Sequence, residues 1–248
     1  MHSVPGLKFG RGIVFFLMLL CSRAGIAGSF EVNPIRIDLS AHARSAALSV
    51  RNSGADPVVV QASIVSWTQE HGQDVYTPTK EILITPPIAT IQPGAEQIER
   101  LGMRRAPDAV KELAYRVFLQ EVPPPPKPGF QGLQVALRLS LPVFVQPREG
   151  KAKATLVWNL ELQGDDTLHL QLDNKGTGHI QVSEVALFQP GQEKAVASQS
   201  SLVYVLAGQS HSWTLKAPTA HLKPTDHLRL KVTTDAGSLD TAIDLGSH

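Results

Sequence analysis

The sequence contains only one cysteine among its 248 residues, Cys21. This cysteine lies in an N-terminal segment that has the pattern of a secretory signal peptide, so the mature chain is expected to contain none. A chain without cysteine has no disulfide, no thiol nucleophile and no cysteine-ligated metal site. We therefore expect packing alone to stabilise the fold, even in an oxidising compartment.

The N-terminal pattern combines positive charge, a short apolar run and small residues, in that order. Its members are Lys8 and Arg11, residues 13–20, and Ala24, Gly25, Ala27 and Gly28. The pattern predicts a signal peptide over residues 1–27, cleaved after Ala27. A retained membrane anchor is disfavoured because the run is shorter than the roughly 20 apolar residues that span a bilayer. Lipoprotein processing at Cys21 is disfavoured because the preceding Leu20 is bulky.

The sequence also lacks a charge bias and the motifs of common enzymes. Its formal net charge is +1, which gives no indication of binding to nucleic acid or to an anionic membrane. We find no phosphate-binding glycine loop, no G-x-S-x-G elbow, and no pair of histidines at a spacing that converges on a metal. The sequence therefore predicts a protein that is not an enzyme and that uses no nucleotide, metal or other cofactor.

Helical periodicity is absent as well, and aromatic residues make up only 6% of the chain. Instead, short segments of alternating apolar and polar residues are separated by turns rich in proline and glycine. About seven such segments precede a linker at residues 146–150, and the same pattern continues after it. This organisation predicts an all-β protein with two tandem immunoglobulin-like β-sandwich domains, residues 28–147 and 148–248.

The longest alternating segment runs from Leu133 to Pro147 and ends the first predicted domain. Leucine or valine occupies every second position from 133 to 143, so one face of a strand there would be a continuous apolar row. An ordinary half-buried strand has the same pattern. However, the segment follows an unusual proline-rich loop, Pro123–Gly129, and it lies where the two domains join. These two features favour an edge strand that pairs with another chain.

Several short segments have the order and spacing of one known family. They are residues 30–39, Pro86–Pro87, Ile91–Gly94, Gln97–Arg100, Glu112 with Tyr115–Arg116, Gln120–Pro124 and Leu133–Leu137. Together they resemble the periplasmic chaperones of the chaperone–usher pathway, which assist pilus (fimbrial) subunits. The resemblance covers residues 29–147, and in the second half only the sandwich pattern agrees. It implies a periplasmic protein whose two immunoglobulin-like domains form a boomerang arrangement.

The resemblance also implies how such a protein binds its partners. A pilus subunit is a sandwich without its final strand, and the chaperone lends a strand whose alternate apolar side chains fill the open groove. Leu133, Val135 and Leu137 match the donated residues, and Leu139 extends the row. We expect this row to face solvent in the free protein. The implied partners are pilus subunits and an outer-membrane usher, and the exposed donor edge also predicts self-association.

The family anchors the C-terminal carboxylate of the subunit with two basic residues in the cleft between the domains. By resemblance, the first is Arg36, whose planar guanidinium suits a bidentate grip on a carboxylate. The second is usually a lysine on the donor strand, but its position here is Pro142. Arg138, which has the same strand parity, or Arg100 is a candidate replacement. The alternative for Arg36 is a surface salt bridge with Asp38 or another acid.

Two other functions stay open at this point. A tandem-sandwich adhesion or structural surface protein would bury the same apolar row in its own closed core. A periplasmic enzyme or metal carrier would need polar residues that converge on one site, and the sequence shows no such set. The exposure of Leu133, Val135 and Leu137 therefore separates the first alternative from the chaperone.

Overall fold

The computed structural model describes residues 30–125, 129, 132–133, 135–163, 166–217, 222–223 and 226–247. Within these ranges the chain forms seventeen β-strands and no helix, so the prediction of an all-β fold is confirmed. It follows that no helix in the described part is suited to crossing a membrane. The signal peptide expected over residues 1–27 lies outside the described residues.

The first ten strands form a sandwich of two sheets, which we call the first domain. Their bounds are β1 (Phe30–Asn33), β2 (Ile37–Leu39), β3 (Ser45–Asn52), β4 (Val58–Glu70), β5 (Gln73–Pro78), β6 (Ile82–Thr85), β7 (Ile88–Ile91), β8 (Glu96–Met103), β9 (Leu113–Glu121) and β10 (Arg138–Val145). One sheet has four strands in the order β1-β3-β8-β6. The other has six, in the order β2-β10-β9-β4-β5 with β7 beside β4.

The alternation of side chains accounts for the core between these two sheets. Leu48 and Leu101 of the four-stranded sheet are buried against Val60, Val117 and Leu119 of the six-stranded sheet. Their neighbours along each strand point outward because successive side chains alternate between the faces. Each buried Val or Leu contributes about 1.5–3 kcal/mol relative to an exposed one. Apolar packing between the sheets thus stabilises the domain.

Residues 30–39, one of the segments that carry the family resemblance, are divided between the two sheets. β1 pairs antiparallel with β3, whereas β2 pairs in parallel with β10. The peptide bond between Asn33 and Pro34 is cis in the connection between them. The parallel pairing involves only the last three residues of β10, Val143–Val145. This short pairing leaves the first part of β10 without a neighbour on that side.

β10 is shorter than the strand that the sequence predicted, because it begins at Arg138 and not at Leu133. Arg138 pairs with Gln120 near the end of β9, and Leu137 still accepts a hydrogen bond of 2.8 Å from the backbone N–H of Glu121. Beyond that point the partner strand leads into Pro123–Pro125, whose nitrogens carry no hydrogen to donate. The hairpin therefore ends here. Gln134 lies outside the described residues.

The last seven strands form the second domain, which is one continuous sheet in the order β14-β13-β16-β17-β11-β12-β15. Their bounds are β11 (Leu156–Gln163), β12 (Thr167–Asn174), β13 (Ile180–Phe188), β14 (Ala197–Val205), β15 (Ser210–Lys216), β16 (His227–Thr234) and β17 (Gly237–Ser247). The sheet curls around one apolar core, and its two end strands meet where Trp213 Nε1 donates to Ser201 Oγ at 3.3 Å. The last strand, β17, has Leu239, Ile243 and Leu245 at alternating positions.

The two domains contact each other through a small aromatic cluster. Trp67 and Phe144 of the first domain pack against Leu206 of the second, with Tyr204 beside them. The amide of Gln69 ties the same surfaces together, because its Nε2 donates to the Tyr204 carbonyl at 2.8 Å and its Oε1 accepts from the Leu206 N–H at 2.9 Å. This junction positions the residues of the candidate site.

Candidate functional site

The first part of β10 is an open strand edge. Residues Arg138–Leu141 pair with β9 on one side, and no described strand pairs with them on the other. An unpaired edge presents backbone N–H and C=O groups to any chain that can add a strand. The edge continues into the segment that contains Leu133 and Val135. Backbone pairing and apolar contact are therefore available at the same place.

The apolar row along this edge is exposed only in its first half. Leu133 and Val135 are 87% and 75% exposed, respectively, and are among the most exposed large apolar side chains described. Leu137 and Leu139 are half-buried and pack against the core of the first domain. The expectation that all four side chains face solvent in the free protein is therefore wrong for Leu137 and Leu139. These two cover the open side of their own core, since no further strand does so.

Three arginines lie on the outward face of the six-stranded sheet, the face toward the domain junction. Arg138, at the start of β10, is exposed, and its guanidinium Cζ lies 4.1 Å from the centroid of the Phe118 ring. Arg36 lies just before β2, and Arg116 lies on β9. Arg100 belongs to the four-stranded sheet, where it points outward between the buried Glu99 and Leu101. Arg100 is thus on the opposite side of the sandwich from the other three.

Arg36 reaches across the domain junction. Its Nη1 donates to Asp235 Oδ2 of the second domain at 3.1 Å, and its Nη2 donates to Asp38 Oδ1 at 3.2 Å. The guanidinium also lies 5.1 Å from the ring centroid of Phe144. Burial opposes its charge, but the two carboxylates outweigh this and raise the pKa of Arg36. The salt bridge with Asp38 that the sequence left as an alternative is present in the free protein.

Arg116 is a third cation of this face, and no sequence motif assigns it a role. Its guanidinium Cζ lies 3.8 Å from the centroid of the Trp67 ring and 5.2 Å from that of Tyr204. Its Nε atom is buried and has no hydrogen-bond partner among the described residues. Burial lowers the pKa of Arg116, and Tyr76 and Asp74 act in the opposite sense. Arg116 is thus a partly desolvated cation.

A buried histidine links the two domains beside Arg36. His179 Nδ1 lies 2.6 Å from Glu112 Oε1, and the His179 ring stacks on Phe144 with a centroid distance of 3.5 Å. Gln146 Nε2 donates to the other oxygen of Glu112 at 2.9 Å. Burial opposes protonation, but Asp235 and Glu112 outweigh it and raise the pKa of His179. No sequence pattern singles out this histidine, although its side chain is only 5% exposed.

No local sequence signal pairs residues such as Glu112 and His179, which are 67 positions apart. For Arg116, by contrast, the sequence does indicate on which face of the sheet the side chain lies. It is a charged residue in the middle of a strand of apolar residues, and strand parity alone places it outward with Phe118. The cross-strand register then pairs Arg116 with Pro142, the position where the family's second basic residue is expected. Only the register could have connected the two positions.

Comparison with known proteins agrees with this arrangement. A family model described as pili and flagellar-assembly chaperone, PapD N-terminal domain, matches residues 29–151. A curated relative, the chaperone protein PapD of Escherichia coli, is 26% identical over 145 residues, which are 56% of this chain and 57% of the relative. The matched region thus spans little more than half the length of that curated relative.

Solved structures match the chain over most of its length. The CsuC–CsuE chaperone–tip adhesion subunit complex from the archaic chaperone–usher Csu pili of Acinetobacter baumannii gives a TM-score of 0.64 at 22% identity, covering 89% of this chain and 99% of the other. The SafB chaperone in complex with the SafA pilin of Salmonella enterica gives a TM-score of 0.60 at 20% identity, covering 89% and 97%. At these identities the likeness establishes the fold, which is that of two tandem immunoglobulin-like β-sandwich domains.

Proposed function

Because residues 29–151 belong to the family of pili and flagellar-assembly chaperones, we propose that this protein binds pilus (fimbrial) subunits by donor-strand complementation and delivers them to an outer-membrane usher. The proposal places the protein in the periplasm, in keeping with the signal peptide predicted over residues 1–27. The observation that carries it is the exposure of Leu133 and Val135 next to an unpaired strand edge. The protein acts as a chaperone and not as an enzyme.

The energetics of the edge support strand donation. Burial of Leu133 and Val135 in a subunit groove gives on the order of 3–6 kcal/mol, at about 1.5–3 kcal/mol for each side chain. Leu137 and Leu139 are half-buried and gain further burial when a subunit covers the open side of the sandwich. Association and the ordering of the segment remove much of this gain. The complex is therefore stable but remains open to exchange with a better-fitting strand, and it needs no nucleotide.

Arg36 remains the proposed anchor for the C-terminal carboxylate of the subunit. It lies at the base of the same edge, since Ile37, the next residue, pairs with Val143 of β10. Its side chain is about one-third exposed, and a third carboxylate can therefore replace Asp38 or Asp235 as its partner. The planar guanidinium offers two parallel donors to an incoming carboxylate.

The main alternative, an adhesion or structural surface protein, would use the apolar row inside its own core. At 87% and 75% exposure, Leu133 and Val135 are not part of such a core. This observation favours the chaperone, because a strand that closes its own sandwich has no reason to present large apolar side chains to water.

Co-purification tests the proposal. The mature protein is co-expressed with the pilus subunits encoded in its own genome, and Leu133→Arg and Val135→Arg variants are compared with Leu202→Arg. Leu202 lies on β14 of the second domain and is 73% exposed, so it is a matched control for the loss of an exposed leucine. We expect the subunit to be lost with the first two variants and retained with the control. Equal recovery with all three variants would reject strand donation through this row.

A further inference from the structure

Arg116 has a charged guanidinium that no carboxylate of the described residues contacts directly. No described carboxylate forms an ion pair with it, in contrast to Arg36, which contacts two. Its guanidinium lies against the faces of two aromatic rings, and its Nε has no acceptor. Tyr76 and Asp74 favour its charged form, but a partly desolvated cation gains further stability when a carboxylate contacts it directly. Stacking on Trp67 offsets only part of the cost of desolvation.

A second donor without an acceptor lies at the same place. Trp67 Nε1 is buried and, like Arg116 Nε, has no hydrogen-bond partner among the described residues. Buried donors are usually paired in native proteins, so the contact between Arg116 and Trp67 is not fully satisfied by the described residues. A negatively charged group with oxygen atoms would neutralise the charge of Arg116.

The cross-strand register places Arg116 close to the proposed anchor. Arg116 pairs with Pro142 on β10, and Val143, the next residue of β10, pairs with Ile37, which directly follows Arg36. Arg36 and Arg116 therefore flank Pro142 on the two neighbouring strands. Strands are about 4.8 Å apart, so the two arginine Cα atoms are separated by roughly 10 Å. Two long side chains can converge over that distance.

Both guanidinium groups lie on one aromatic cluster. Arg36 is over Phe144, Arg116 is over Trp67, and the centroids of these two rings are 6.0 Å apart. Pro142 lies between the two arginines, and its ring is short and uncharged. β10 therefore supplies no side-chain donor at this position. The cleft thus contains two cations, of which Arg36 forms two ion pairs and Arg116 forms none with a described carboxylate.

We propose that Arg116 is the second cationic contact for the C-terminal carboxylate of the client, in place of a basic side chain at position 142. This assignment rests on the proposed function, because it presupposes that a subunit occupies the cleft. Arg36 binds one side of the carboxylate from β2, and Arg116 binds the other from β9. Arg138 stays outside the contact. It lies at the start of β10, several residues before Pro142, and its guanidinium lies over the Phe118 ring.

The test measures how strongly each variant prefers a client with a free C-terminal carboxylate. The subunit that co-purifies with the wild-type protein is prepared in two forms, one with a free C-terminal carboxylate and one with a C-terminal amide. The affinity ratio between these forms is measured for the wild-type protein and for Arg116→Gln, Arg116→Lys, Arg138→Gln and Arg100→Gln. A ratio is insensitive to any loss of folded protein, because both forms meet the same variant.

We expect the wild-type protein to prefer the carboxylate form by about 10- to 100-fold, as is typical of hydrogen bonds between charged groups. Arg116→Gln should reduce this preference to a few-fold, the remainder being due to Arg36, and Arg116→Lys should retain part of it. Arg138→Gln and Arg100→Gln should leave the preference unchanged. The melting temperature of each free variant reports separately on folding.

The outcomes that contradict the proposal are distinct. If Arg116→Gln weakens both client forms equally, or if Arg138→Gln removes the preference instead, Arg116 is not the carboxylate contact although strand donation stands. If no subunit co-purifies with the wild-type protein, the proposed function itself fails and the assignment of Arg116 fails with it.

Discussion

His179 Nδ1 lies 2.6 Å from Glu112 Oε1, and these two residues belong to different domains. Nε2 of the same ring faces Asp235 Oδ2 at 3.6 Å, and Asp235 accepts a hydrogen bond from Arg36. A continuous set of ionisable side chains therefore crosses the domain junction, namely Glu112, His179, Asp235 and Arg36. His179 is buried, so the charge state of His179 affects the stability of the junction.

The first prediction concerns the pH dependence of this junction. The pKa of His179 is raised in the folded protein by Asp235 and Glu112, against the effect of burial and of Arg36. Protonated His179 therefore stabilises the folded state fully below its unfolded pKa of about 6.5, and this contribution is lost as the pH rises through the folded pKa. We expect the free energy of unfolding of the wild-type protein, relative to His179→Asn, to fall over that range.

Chemical denaturation of both proteins at several pH values between 5 and 9, roughly the interval in which a histidine titrates, measures this difference. His169→Asn is the matched control, because that histidine lies on β12, away from the junction. A stability difference that stays constant with pH would show that the histidine acts only through its stacking on Phe144.

The second prediction concerns an acid buried in the first domain. Glu99 is 1% exposed, its Oε2 has no partner among the described residues, and burial raises its pKa to about 7. The neutral form is favoured in the fold, so the protein loses stability as the pH rises from about 4.5 to about 7. Glu99→Gln should be more stable than the wild type at pH 8 by roughly 1–3 kcal/mol.

Urea unfolding of Glu99→Gln and of Glu31→Gln at two pH values, about 4 and 8, checks this. Glu31 is exposed on β1 and serves as the control, for which we expect changes within about 0.5 kcal/mol. If Glu99→Gln gains no stability at the higher pH, the Glu99 carboxylate is solvated in a way that its burial does not indicate.

The third prediction separates the two halves of the apolar row. Leu139 packs against the core of its own domain, whereas Leu133 is exposed. Leu139→Ala should lower the free energy of unfolding of the free protein by about 1–2 kcal/mol, less than a fully buried leucine would. Leu133→Ala should change it by less than about 0.5 kcal/mol. Thermal unfolding of the free variants distinguishes these effects, and equal losses would contradict the division of the row.

Much of the fold could be predicted from alternation alone, because a half-buried strand needs apolar residues at every second position. The strands around Val60, Val117 and Leu170 follow that rule, and all three residues are buried. The same rule does not predict the short edge strands β5 and β7. Gln73–Pro78 has almost no buried side chain, so no apolar signal marks it. Hydrogen bonds to β4, and not side-chain burial, determine that strand.

The site was predictable where it depends on one strand and unpredictable where it depends on several. The exposed positions Leu133 and Val135 follow from the pattern of the segment and from the prolines before it. The half-burial of Leu137 does not follow from that pattern. Leu137 covers the open side of the core, where no described strand lies beside β10. Likewise, the pairing of Arg36 with Asp235 requires the packing of the second domain against the first, and no pattern in either segment encodes it.

The three prolines at positions 123–125 have a consequence for the resting protein. The β9–β10 register, if continued, would set Pro123 across from Val135 and Pro125 across from Leu133. Residues with a backbone N–H could extend the hairpin and hold this segment in the register of β9. Proline nitrogens have no hydrogen to donate, so β9 does not fix the position of Leu133 and Val135 in this way. Under the proposed function, the groove of the client and not β9 therefore sets the register of the donated row.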